Sequence, residues 1–146
     1  SDKPTGSTLL KEILNKVDDV SEGSWCSEEA YGPALLPLLE DNITEQVAAL
    51  YVVQEYCYNK KFPKVTVNNK ERRLIDVIFN VLMKAQLIDP DGYLSWADDE
   101  NAVDEGRVDA IIQTTAFIQA IRELDVEEFD EDEEEDDEVD APREYI

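Results

Sequence analysis

Apolar residues recur every three or four positions along most of the first 124 residues, the spacing of one helix face. Leu9, Leu10, Ile13, Leu14 and Val17 mark a first helix, capped by Ser7 or Thr8 and broken near Gly23. A short second helix holds Tyr31 and Leu35 to Leu39, with Pro33 near its start and Pro37 bending it. Asn42-Ile43-Thr44-Glu45 reads as a capping box that opens a third helix, reaching about residue 58. That helix is apolar nearly all round, so it belongs at the centre, surrounded by neighbours. Pro63 forces a loop over residues 59–64, and Val65-Thr66-Val67 is too short to establish a strand. A fourth helix is predicted from about 70 to 85. The Asp89-Pro90-Asp91-Gly92 turn then launches a short helix with Tyr93 and Trp96. A last long helix, about 107 to 124, carries Val108, Ile111, Ile112, Thr115, Ile118 and Ile121 as its stripe. No period-two alternation and no Asn-Gly hairpin signal is found, so the predicted fold class is all-α. Antiparallel helix pairs of this kind form either a bundle or a HEAT-type stack, and no strict repeat period separates the two.

Charge divides the chain differently. Of 36 acidic residues, 14 fall in residues 125–146, offset there by Arg143 alone, so that segment carries −13 of the net −23. It is too poor in apolar residues to pack. The expected organisation is a helical domain over 1–124 and a largely disordered acidic tail over 125–146. Such a field repels phosphate, which argues against nucleic acid and anionic membrane as partners. It attracts basic protein segments in a salt-dependent way and opposes self-association, so a monomer is expected. No apolar run approaches membrane-helix length and no signal-peptide pattern opens the chain. Cys26 and Cys57 lack metal-type spacing and read as reduced packing thiols, which suits a cytoplasmic location. Beginning at Ser1 rather than Met, the chain is expected to be a fragment of something longer.

The chain contains no histidine, so Ser-His-Asp and Cys-His constellations are excluded and the commonest metal ligand is absent. Adjacent carboxylates such as Asp98 and Asp99 do not face each other on a helix. The 89–100 segment fails as a calcium loop, because Gly92 stands at the fourth position. No enzyme activity, cofactor or metal site is expected. What stands out is aromatics set in acid: Tyr93 and Trp96 before Asp98, Asp99 and Glu100, then Phe117, Glu123, Glu127, Glu128, Phe129 and Asp130. Tyr93 and Trp96 have two readings, as core rings that seat the short helix or as partly exposed anchors for a partner. Phe129, amid acids beyond the predicted last helix, reads as a docking residue or as part of a solvated tail. Lys60, Lys61, Lys64, Lys70, Arg72 and Arg73 are the one basic concentration. They offset nearby acids, hold the tail, or offer a second face to an acidic partner.

Several segments resemble a known family. Ala49-Leu50-Tyr51-Val52-Val53-Gln54 is followed by Tyr56-Cys57-Tyr58-Asn59-Lys60-Lys61-Phe62-Pro63-Lys64. Leu87-Ile88-Asp89, Tyr93-Leu94-Ser95-Trp96 and Thr114-Thr115-Ala116-Phe117 come after, before the acidic run. In order and spacing these resemble the C-terminal HEAT domain with two aromatic/acidic boxes, shared by translation initiation factor 4 gamma, death-associated protein five, initiation factor 5 and the epsilon subunit of initiation factor 2B. The second box usually carries a tryptophan where this chain has Ala120. The resemblance implies a HEAT-type stack of antiparallel helix pairs and a protein-docking role in translation initiation. The implied partners are the basic segment of a MAP-kinase-interacting kinase or the lysine-rich tail of initiation factor 2 beta. The box residues named above would form the binding site. It also supplies an alternative, guanine-nucleotide exchange on initiation factor 2. Charge alone adds another, an acidic chaperone for basic proteins.

Overall fold

The computed structural model describes residues 5–100 and 105–134, the last ten of these as backbone alone. Seven α-helices, a single 3-10 turn (Ser24–Cys26) and one β-hairpin make up the regular structure of the described residues: α1 (Gly6–Lys16), α2 (Gly32–Leu39), α3 (Ile43–Asn59), β1 (Lys64–Val67), β2 (Lys70–Arg73), α4 (Leu74–Lys84), α5 (Pro90–Ala97), α6 (Arg107–Gln113) and α7 (Thr115–Glu134). α1 packs on α3, α3 on α5 and α5 on α7, while α4 meets α6 behind them. This is an all-α, HEAT-like stack with one small two-stranded sheet.

Local chemistry explains most boundaries. Thr5 caps α1, its side chain accepting from the Thr8 amide, slightly upstream of the predicted Ser7 or Thr8. Asn42 caps α3 as predicted, accepting from the Glu45 amide at 3.1 Å. α3 is the hub, touching α1, α2, α4 and α5. Its buried face includes Ala49, Leu50, Val53 and Cys57. Two buried glutamines on this helix tie it to α5. Gln46 donates to the Leu39 carbonyl and the Asp89 carboxylate and accepts from the Asp89 amide. Gln54 accepts from the Trp96 indole at 3.2 Å and donates to the Glu105 carbonyl. Gly92 permits this approach, since a Cβ there would lie 2.6 Å from Gln46 Oε1.

Three expectations are corrected. Residues 70–73 begin no helix; they pair antiparallel with 64–67, Val67 opposite Lys70, through a turn with Asn68 and Asn69 at φ 54° and 68°. Two left-handed residues in succession make the primed turn that suits hairpin twist, and asparagine tolerates it. The last long helix is divided at Thr114, whose buried hydroxyl donates back to the Ala110 carbonyl at 2.8 Å. The predicted stripe shifts accordingly: Ala110, Thr114, Ile118 and Ile121 are buried, while Val108 and Ile112 are 71% and 64% exposed. Finally, helical backbone continues through Glu134, ten residues past the expected helix end at about 124. The remainder of the expected acidic tail, 135–146, lies outside the described residues.

Candidate docking surface at the end of α5

Pro90 starts α5 with the backbone angle a helix requires, and Asp98 closes it. Between them Tyr93 and Trp96 point inward and are fully buried. Tyr93 donates its hydroxyl proton to the Phe79 carbonyl at 2.7 Å. Both rings pack against Phe79, with centroids 5.4 and 5.1 Å away, and half-buried Phe117 of α7 joins them at 5.0 Å from Tyr93 and 5.6 Å from Phe79. Of the expected aromatics, Tyr93, Trp96 and Phe117 therefore form an interior cluster with Phe79 that joins α4, α5 and α7, and Tyr93 and Trp96 present no exposed surface.

The carboxylates sit outside that cluster. Asp98 and Glu100 are exposed and Asp99 is half-buried. Arg122 of α7 reaches Asp98 Oδ1 at 2.5 Å, an exposed pair that joins the two acidic stretches. The Tyr51 hydroxyl donates to Asp99 Oδ2 at 2.7 Å. These acids crowd the carbonyl end of α5, where the helix dipole already places negative charge. Arg107 offsets that charge. Its Nη2 lies 2.7, 3.1 and 3.2 Å from the carbonyls of Trp96, Ala97 and Asp99. Its guanidinium also stacks 4.9 Å from the Trp96 ring and 5.7 Å from that of Tyr51.

Glu123 is exposed on α7, with Gln119 one turn before it. Ala120, at the position of the missing tryptophan, is exposed as well. Glu127, Glu128, Phe129 and Asp130 follow on the same helical backbone, and their side chains lie outside the described residues. So the structure brings together Asp98, Asp99, Glu100 and the α7 helix that carries the second acidic stretch. Arg107, Arg122, Tyr51 and Gln54 organise this corner and were not singled out from sequence as parts of it. The signal available was Arg107 and Arg122 as isolated bases between acidic stretches.

The basic residues gather elsewhere, on the hairpin and the end of α3. Lys64 pairs with Glu71 at 3.8 Å, Arg72 with Asp76 at 2.9 Å, and the Lys60 ammonium sits 5.2 Å above the Tyr56 ring. Lys61, Lys70 and Arg73 are exposed. Burial pushes both Cys26 and Cys57 up to about 12, so neither thiol is a ready nucleophile. Among the described residues no group of three or more acids or cysteines is arranged to hold a metal ion, and no helix is long and apolar enough to cross a membrane.

No protein-family model matches the chain. Its likeness is to a translation factor. Over 103 residues it is 29% identical to eukaryotic translation initiation factor 4 gamma 2 of Homo sapiens, and equally to those of Mus musculus and Bos taurus. The match covers 70% of this chain and 10% of each of those proteins, so the chain spans about a tenth of the length of the curated relatives it matches.

Proposed function

We propose that this chain is a non-enzymatic docking domain of a translation initiation scaffold, and that the α5–α7 corner takes up Lys/Arg-rich segments of partner proteins. The observation that carries the reading is the placement of Asp98, Asp99 and Glu100 at the negative end of α5, joined through Arg122 to the helix bearing Glu123 and the acids beyond. Three carboxylates at a helix C-terminus oppose folding, and a cationic segment relieves that repulsion. The similarity to initiation factor 4 gamma 2 supports the setting. By the family resemblance, the occupant is the basic segment of a MAP-kinase-interacting kinase or the lysine-rich tail of initiation factor 2 beta. Long-range attraction brings the segment in, and apolar contact beside the acids, with exposed Leu124 at hand, fixes its register.

Calorimetric titration of both peptides at physiological salt tests this. Asp98→Asn with Glu100→Gln, which spares the Tyr51–Asp99 bond, is expected to weaken binding about tenfold, or about 1.4 kcal/mol. Equal affinity in that variant refutes the site. A tenfold preference for one peptide names the partner.

A further inference from the structure

We propose that the groove between α2 and the α4–α5 turn is a second docking site, for an arginine-rich partner segment that also carries an apolar residue. It lies at the opposite end of α5 from Asp98, about 12 Å away along an eight-residue helix axis. The proposal does not rest on the corner described above.

α2 supplies the first observation. Its sequence, Gly-Pro-Ala-Leu-Leu-Pro-Leu-Leu, has no polar side chain, although the helix lies at the surface. Leu35 and Leu39 enter the core, while Leu36 remains 39% exposed and Pro33, Ala34 and Pro37 are exposed too. A surface helix ordinarily turns polar residues outward, so α2 presents an apolar face without a cover among the described residues. Across from it, half-buried Met83 and the edge of Ile88 complete the apolar lining of a groove of about 860 Å³. That volume is within the range of sites that take up compact ligands or several side chains.

Charge selects the occupant. Glu28, Glu40, Asp41 and Asp89 line the same groove, and no lysine or arginine does. None of the four makes an ion pair among the described residues. Asp89 is held by Gln46 and the other three side chains extend into solvent. An arginine matches both halves of this surface, laying its aliphatic stem on Leu36 and Met83 while its guanidinium meets a carboxylate in a two-pronged contact. A second copy of this chain fits poorly, because two bodies of net charge −23 repel.

The test uses the full chain with labelled methyl groups and two 12-residue peptides at about 0.15 M salt. One peptide alternates arginines around a central leucine pair, and the other replaces the leucines with serine. The leucine peptide is expected to shift the methyl signals of Leu36, Met83 and Ile88. Glu40→Gln with Asp41→Asn, both at exposed positions, is expected to weaken it about tenfold. The Asp98→Asn, Glu100→Gln variant should leave those methyl shifts intact. Shifts confined to the α5–α7 corner would overturn the groove and leave the corner standing. Equal affinity for the serine peptide would reduce the effect to ion attraction and overturn it as well. So would shifts at the same methyls that grow with protein concentration alone, which would assign the groove to self-association.

Discussion

Arg107 is the residue on which the acidic corner depends, and its removal has a calculable effect. The side chain is half-buried and contributes three charge-assisted contacts to carbonyls at the end of α5, together with stacking on Trp96 and Tyr51. A hydrogen bond from a charged donor contributes about 1.5–3 kcal/mol, but water replaces part of this at a half-exposed site. The contacts share one guanidinium and do not add, and the stacking contributes about 0.5–1 kcal/mol. Arg107→Ala is therefore expected to destabilise the fold by about 2–3 kcal/mol. Arg107→Lys keeps a positive charge near the helix end yet loses the planar fork, so a loss of about 1–2 kcal/mol is expected. Urea denaturation followed by far-ultraviolet circular dichroism measures both, and the alanine variant should melt about 10 °C lower. A change below about 0.5 kcal/mol for the alanine variant would refute the clamp. Full retention of stability by lysine would show that charge alone is needed and that the fork and stack contribute nothing.

Two further predictions concern the thiols and the hairpin. Burial raises Cys26 and Cys57 from the ordinary 9.0 to about 12, so between these values the folded chain keeps protons that the unfolded chain has lost. Stability should be full below pH 9 and decline as pH rises toward 12, with buried Tyr93 acting in the same direction; a flat or rising urea midpoint from pH 8 to 10.5 would contradict this. In the hairpin turn, Asn69→Gly should stabilise by about 0.5 kcal/mol and Asn69→Val destabilise by about 1–2 kcal/mol, because φ of 68° disfavours a β-branched residue. Thermal melts that reverse this order would refute the turn assignment.

Helix existence was legible from the chain because α1, α3 and α5 each combine a cap or a proline with an apolar face, and α4 carries an apolar face alone. The hairpin was hidden for a physical reason. Its strands are four residues long, and Lys70-Glu71-Arg72-Arg73 carries charge where a helix start also tolerates it. The signal lay in Asn68-Asn69, two residues able to take left-handed backbone in succession. The break at Thr114 was hidden because apolar spacing continues across it; the indicator was a threonine pair whose hydroxyls return to carbonyls of the preceding turn. At the site, the sequence located the acids but not the direction of the rings. Tyr93 and Trp96 turn inward because each polar tip finds a buried acceptor, in the Phe79 carbonyl and the Gln54 amide. Nothing in local spacing announces partners 14 and 42 positions away.

Gln46 and Gln54 are eight positions apart on α3, and they hold Asp89 and Trp96, seven positions apart across α5. The two helices thus run side by side in the same direction, fastened at both ends like a ruler against its scale. Sliding one by a single turn, about 5.4 Å, would strand both buried amides at once, and leucine and valine contacts alone would impose no such penalty. The consequence is a constraint on length. Insertion or deletion of one residue between 90 and 95, or between 47 and 53, should be far less tolerated than the same change in the hairpin turn. Descendants of this chain are free to vary the apolar residues between the fasteners, but not their number.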